Sequence, residues 1–355
     1  MKVKKIAEFN PAPASPIAGR SEIDYIDTAA VVEGRLGDVQ RLSKMFPSRA
    51  QREIHTNDIL ISSVRPNLKH NFFVDDSADG MIASSGFIHV RVKNSSDVSP
   101  RFLYYYLTSP AQVQRYVKIA DSSQSAYPSF NKDVVENIEL PEIDLPTQLR
   151  IAGILGRLDE KIELNRKKIA ELEALAKTIY DYWFVQFDFP DKNGKPYKSS
   201  GGKMVWNEQL KREVPEGWEV VPLESLLARL PITKRLPTDE YGIDGEFPII
   251  DQSEAFIAGY SSNQSAVLSL PKCVVFGDHS CTVKMVNFPF CRGADGTQIL
   301  VSNDESVIST YQLYLYIEHL KFDGQYKRHF SFLKQFLIPL KRTLYLGQAF
   351  SKLGS

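Results

Sequence analysis

Cysteine is scarce in this chain, long apolar runs are missing, and neither sign of charge prevails. The three cysteines, Cys273, Cys281 and Cys291, crowd into one segment, and an odd number cannot close into a disulfide framework. No stretch approaches the roughly 18 apolar residues of a membrane helix, and the basic opening MKVKKIAEFNPAPASP has no apolar core behind it. A cytoplasmic setting is therefore expected. The 43 Lys and Arg balance 43 Asp and Glu, which removes any global pull on a polyanion and argues against nonspecific nucleic-acid binding. Specific reading of base edges stays open, because it needs only a few placed side chains.

At 355 residues the chain exceeds what one core ordinarily supports, so two domains are the starting expectation. Between them, ILGRLDEKIELNRKKIAELEALAKTIYDYWF (154–184) reads as one amphipathic helix. Ile151, Leu155, Leu158, Ile162, Asn165, Ile169, Leu172, Ala176, Ile179 and Trp183 follow one another at alternating steps of four and three, which is a heptad seam. Asp144 stands ready to cap its start, Pro146 suits the first turn, and Pro190 lies past its end. Such a rod would be on the order of 60 Å long. A long core helix is the plainer alternative, but the dense charge from Asp159 to Glu173 suits a coiled coil in water. Asn165 then pins the register, or else meets water where the helices splay.

The flanking segments repeat one pattern. YIDTAAVVEG (25–34) matches IIDQSEAFIAG (249–259), and DILISSVRPN from Asp58 matches CVVFGDHSCT from Cys273. RFLYYYLTS (101–109) then matches YQLYLYIEH (311–319), and NIELPEID (137–144) matches QFLIPLKR (335–342). All four pairs keep their order, with offsets of 224 (Ile26 to Ile250), 210 (Tyr106 to Tyr316) and 198 (Pro141 to Pro339). Two related domains with unequal loops produce that series. Short β-branched strands, polar turns and an aromatic helix in each copy predict an α+β fold. The expected division is 1–143 and 217–340 for the two domains, 144–188 for the spacer helix, 189–216 for a linker, and 341–355 for the start of a distal helix, since GQAFSKLGS is similar to the beginning of TQLRIAGILGR.

With these residues in view, the chain resembles the specificity subunit of a type I restriction-modification system. The likeness is sharpest from LPTQLRIAGILGRLDEKIELN through ELEALAKTIYDYWFVQFDFPDKNGKPYKSSGGKMVWNEQLKREVPEGWEVVPL. PEGW at 215–218 resembles the entry to a target-recognition domain, while the first domain has no such counterpart near residue 1. The resemblance implies two α/β target-recognition domains separated by a coiled-coil helix, each reading one half of a bipartite double-stranded DNA sequence. It implies no cofactor on this chain. Methyltransferase subunits would carry S-adenosylmethionine, and a motor-nuclease subunit would use ATP and Mg²⁺. A half-type variant that self-associates through its helix, or an enzyme with an unrecognised nuclease or methyltransferase site, are the competing readings.

Catalytic motifs are expected to be absent. The glycines of SSGGKM lack the spacing of a phosphate loop. NPAP at Asn10 has Ala12 and Pro13 where an adenine methyltransferase needs proline and an aromatic ring. Cys273, His279, Cys281 and Cys291 match no zinc spacing, and buried thiols are the alternative. DNA contacts are expected instead from loops. SSVRPNLKH offers Arg65, Asn67, Lys69 and His70, with Ser84 and Ser85 from the neighbouring strand end and Gln124 and Tyr127 from IADSSQSAYPSF. The second domain offers Lys284, then Arg292, Thr297 and Gln298 in CRGADGTQ, and Lys327, Arg328 and His329 in YKRHF. A solvated hairpin tip or helix end is the competing reading for each.

Overall fold

The structure is a computed structural model describing all residues except 12–16, 18, 33, 44, 96, 123–127, 232–233, 321, 323–328 and 342–355. The segment expected to begin a distal helix thus lies almost wholly outside the described residues. The chain forms two compact units, Met1–Lys167 and Lys168–Ser355.

In the first unit, Ile59–Ser62 is buried on both faces, so its side chains serve two cores in alternation. Ile59 and Ile61 face the helices Pro100–Leu107 and Pro110–Asp121, whereas Leu60 packs with Ile26, Phe72 and Phe87. This strand lies in an antiparallel sheet ordered Ala7–Phe9, Phe87–Val92, Ile59–Ser62, Asn71–Phe73. A second sheet runs Gln40–Leu42, Ile23–Ile26, Ile82–Ser84, Ala50–Glu53, and its central pair is parallel, with Tyr25 opposite Ile82.

The second unit repeats this plan. Cys273–Gly277 sends Val274 and Phe276 to one core and Cys273 and Val275 to another. Its four-stranded sheet runs Gly259–Ser261, Phe247–Ile250, Phe290–Arg292, Val267–Leu268, again with a parallel central pair, Ile249 opposite Cys291. Detail recurs as well. Ser99 and Ser309 cap the equivalent helices through their hydroxyls, and the Tyr106 and Tyr316 hydroxyls donate to the carbonyls of Glu139 and Pro339. The repeat read from sequence is a repeat of topology.

Segment 189–216, expected as a linker, is instead folded. Met204–Asn207 pairs with Arg212–Pro215 as a hairpin, and Phe189 stacks on Tyr197 and Trp218. The Asp188 carboxylate accepts from the amide and hydroxyl of Ser199, tying the entry of the segment to its middle. Aromatic burial holds this stretch in place despite its glycines and lysines.

The α-helix Leu145–Tyr180 runs 36 residues, about 54 Å at 1.5 Å per residue, and continues into a π-helical turn at Asp181–Val185. Its start packs Ala152 and Ile151 on the first unit's core, and its end packs Ala176, Tyr180 and Trp183 on the second's. Between these ends Leu158, Ile162, Ile169 and Leu172 are between 49% and 64% exposed, and Asn165 is exposed among them. Replacing Asn165 by leucine is expected to tighten helix association while loosening its register. Sedimentation and disulfide-trapping across the seam would read both; unchanged assembly would remove the register role.

Candidate nucleic-acid interface

The loop after Ile59–Ser62 is built to present polar side chains. Arg65 (φ 48°) and Lys69 (φ 53°) both adopt left-handed backbone around the turn Pro66–Leu68, a conformation that costs energy in residues with a Cβ. The loop is held by main chain, with the Arg65 amide donating to the Pro128 carbonyl at 2.9 Å. Arg65, Asn67 and Lys69 are exposed, and Arg65 and Asn67 border a cavity of about 330 Å³ with Asp121 and Pro128. Three of the four residues singled out in SSVRPNLKH are thus exposed on one turn. His70 turns inward, where its Nδ1 meets the Val31 carbonyl and must act as donor.

At the other end of this strand stands a buried ionic group. Asp58 accepts from Arg91 Nε and Nη2 at 2.8 and 2.6 Å, from the His55 amide at 2.7 Å, and lies 2.7 Å from His89 Nε2. Burial alone would raise its carboxyl, but these partners outweigh burial and hold it at about 2. The strand that carries the loop is thereby anchored at its first residue.

Sequence reasoning missed Arg52. It lines a second cavity of about 330 Å³ with Asn10, Ser63, Ser85, Asn131 and Lys132, which places Ser85 at the edge of a polar recess. Burial pushes the Arg52 guanidinium down, and among the described residues its Nε has no partner. Its only sequence signal was the second of two arginines in the charged run SRAQRE, indistinguishable from a solvated edge.

Several expected contacts are interior groups instead. Ser84 is fully buried and accepts from the Gly86 amide. Lys284 is 7% exposed, its ammonium donating to the carbonyls of Asp251 and Ala255 at 2.8 and 2.6 Å, and desolvation lowers its pKa against the pull of Asp251. Arg292 and Thr297 are also inside, with Arg292 Nε donating to the Thr297 carbonyl at 2.9 Å. His329 is buried, and its amide donates to the Asp278 carbonyl. These five residues hold loops together rather than face a ligand. Gln298 is half-buried on the strand Thr297–Leu300. Gln124, Tyr127, Lys327 and Arg328 lie outside the described residues.

In the second unit, three loops meet in a knot around Gln252. Its amide accepts from the His279 amide and donates to the Asp295 carbonyl, while its own carbonyl takes the hydroxyls of Ser280 and Thr282. Gly296 at φ 85° permits the approach, since a Cβ there would sit 2.7 Å from the His279 ring. His279 and Ser280 are left exposed at the place matching the Arg65 loop. The glycines of CRGADGTQ were the visible signal for this knot. The thiols of Cys273 and Cys291 are buried, Cys273 being pushed up to about 12, and no group of metal-ligating residues occurs among the described residues.

A sequence profile described as the type I restriction modification DNA specificity domain matches residues 10–174. Across residues 10–174, just under half of its length, the chain is therefore similar to that DNA specificity domain. It is 34% identical over 145 residues to the HindI specificity subunit of Haemophilus influenzae, an alignment covering 41% of this chain and 31% of that one. It is 27% identical over 199 residues to the MjaIX specificity subunit of Methanocaldococcus jannaschii, covering 54% and 43%. The matches thus span between about a third and a half of the relatives' lengths. The crystal structure of an S subunit from M. genitalium shares the fold, with a TM-score of 0.53 at 14% identity over 99% of this chain and 87% of that one. Among the described residues no helix is long and apolar enough to cross a membrane.

Proposed function

We propose that this chain is the DNA-recognition component of a restriction-modification complex. Each unit reads one half of a split double-stranded site, the helix fixes the distance between halves, and methyltransferase and motor-nuclease subunits supply the chemistry. The observation that carries this reading is the recurrence of one sheet topology before and after a 36-residue helix. A duplex rises about 3.4 Å per base pair, so a rod of about 54 Å exceeds one helical turn of DNA and matches the scale of a divided site. Arg65, Asn67 and Lys69 in the first unit, and Gln298 with the exposed rim around His279 in the second, are the groups placed for phosphates and base edges. S-adenosylmethionine, ATP and Mg²⁺ belong to the partners in this scheme.

The half-exposed seam further supports pairing with a second helix, from another subunit or, in the isolated protein, from a second copy of this chain. The purified chain alone is expected to neither methylate nor cleave DNA. Addition of its cognate methyltransferase subunit is expected to confer adenine methylation at one interrupted sequence, read by sequencing methylated bases. Methyl transfer or nicking by the lone chain, abolished by one substitution, would point to an enzyme instead.

A further inference from the structure

Beyond Ile151, the first unit does not grip the helix by its seam. It holds a neighbouring stripe. Gln148 is buried, its carbonyl oxygen accepting from the Ser99 amide at 3.0 Å and its amide donating to the Ile143 carbonyl at 2.8 Å. One turn on, Ala152 enters the core, and after it Gly156 allows the Arg101 guanidinium to within 3.3 Å of where a Cβ would stand. Asp159 then accepts from the Tyr105 hydroxyl at 2.6 Å, and Glu163 faces Arg35 of the hairpin Val31–Leu36 at 3.8 Å. At about 100° per residue these five positions fall within a sector of about 80°, whose centre is roughly 100° round from the seam.

We propose that this stripe, Gln148–Ala152–Gly156–Asp159–Glu163, is a key that fixes the azimuth of the first unit about the helix and so sets which gap between half-sites the protein accepts. The proposal rests on the two-reader function above. One base pair of gap turns the far half-site by about 35° around the duplex, since a turn holds 10–10.5 base pairs. A reader free to rock by that angle would accept neighbouring gaps, and a reader keyed to one azimuth would not. The contacts differ in strength. The hydroxyl-to-carboxylate bond of Tyr105 is short and charge-assisted, and the two Gln148 bonds are shielded from water, whereas the exposed Arg35–Glu163 pair adds direction more than energy. Because the key lies outside the seam, a partner helix can occupy the seam without displacing it. Tyr105, Arg101 and Gln148 are thus positioning residues.

The test uses the full chain with its cognate methyltransferase subunit and duplexes whose gap is native, one base pair shorter or one longer. Wild type should methylate the native gap at least about tenfold faster than either neighbour, about 1.4 kcal/mol of discrimination. Tyr105→Phe combined with Glu163→Gln should keep the native-gap rate within about threefold while most of the discrimination disappears; Asp159→Asn, which keeps an acceptor for Tyr105, should retain it. Discrimination unchanged in the double variant, or a uniform loss at every gap, overturns the proposal. A second readout needs no DNA: spin labels at Leu68→Cys and Lys161→Cys, on a Cys281→Ser background, should report one narrow distance that broadens in the double variant. Were wild type to methylate nothing, the two-reader function would fail, and the label distances would still decide whether the key holds; an unbroadened distribution in the double variant sinks it.

Discussion

Glutamate at Leu158, Ile162 and Leu172 together is expected to leave the chain monomeric at concentrations where wild type associates. Each of these side chains is about half exposed in the single chain, and each would be covered in a paired helix. Burying an aliphatic side chain is worth about 1.5–3 kcal/mol, so losing three contacts costs at least about 4 kcal/mol, on the order of a thousandfold in affinity. Introduced carboxylates add a desolvation penalty against the partner. Analytical ultracentrifugation reads the change directly, and circular dichroism checks that both units remain folded. The controls are glutamates at Lys167 and Ala174, exposed on the side of the helix opposite the seam, which should leave association intact. If the seam variant assembles like wild type, the helix pairs by some other face.

The second large effect concerns stability. Asp58→Asn is expected to destabilise the first unit by about 3 kcal/mol, because it breaks a buried group and leaves Arg91 and His89 facing a neutral amide. For a unit of this size that corresponds to a fall of roughly 6–12 °C in Tm, measurable by scanning calorimetry. The same carboxyl makes stability depend on pH. It titrates at 3.8 in an unfolded chain and at about 2 in the fold, a depressed value. Its contribution, about 2 kcal/mol, is therefore complete above about pH 4 and disappears as the pH falls through about 2. Between those limits the asparagine variant should lose stability less steeply than wild type. Parallel acid limbs for the two proteins would show that Asp58 does not titrate as its partners dictate.

The helix and the repeat were legible in the sequence because each rests on periodicity. Alternating steps of three and four along a charged segment leave little but a seam, and four apolar patterns recurring in order leave little but duplication. The candidate interface was legible only in part. Arg65, Asn67 and Lys69 follow a strand directly and share one short turn, so residue type and exposure coincide there. Lys284 was misread because it takes the buried side of the alternating strand Val283–Val286, where a lysine is not expected, and Arg292 because Phe290–Arg292 is buried throughout, so no polar alternation marks which way its side chain points. The Asp58–His89–Arg91 group was hidden for another reason: its members are 31 and 33 residues apart and meet only through strand pairing. The fold of segment 189–216 was not legible because it rests on three aromatic rings, Phe189, Tyr197 and Trp218, that no sequence period links.

Each unit also brings the two ends of its own stretch of chain together. In the first, the amide of Val3 donates to Ile138 and that of Leu140 to Met1; in the second, Glu219–Pro222 pairs along Leu337–Leu340. Entrance and exit are thus adjacent, like the two prongs of a plug. A cassette wired in this way can be lifted out and exchanged for one with another preference while its socket, a pair of strand ends, stays the same. In the proposed two-reader scheme, such an exchange would rewrite one half of a split site and leave the other half untouched.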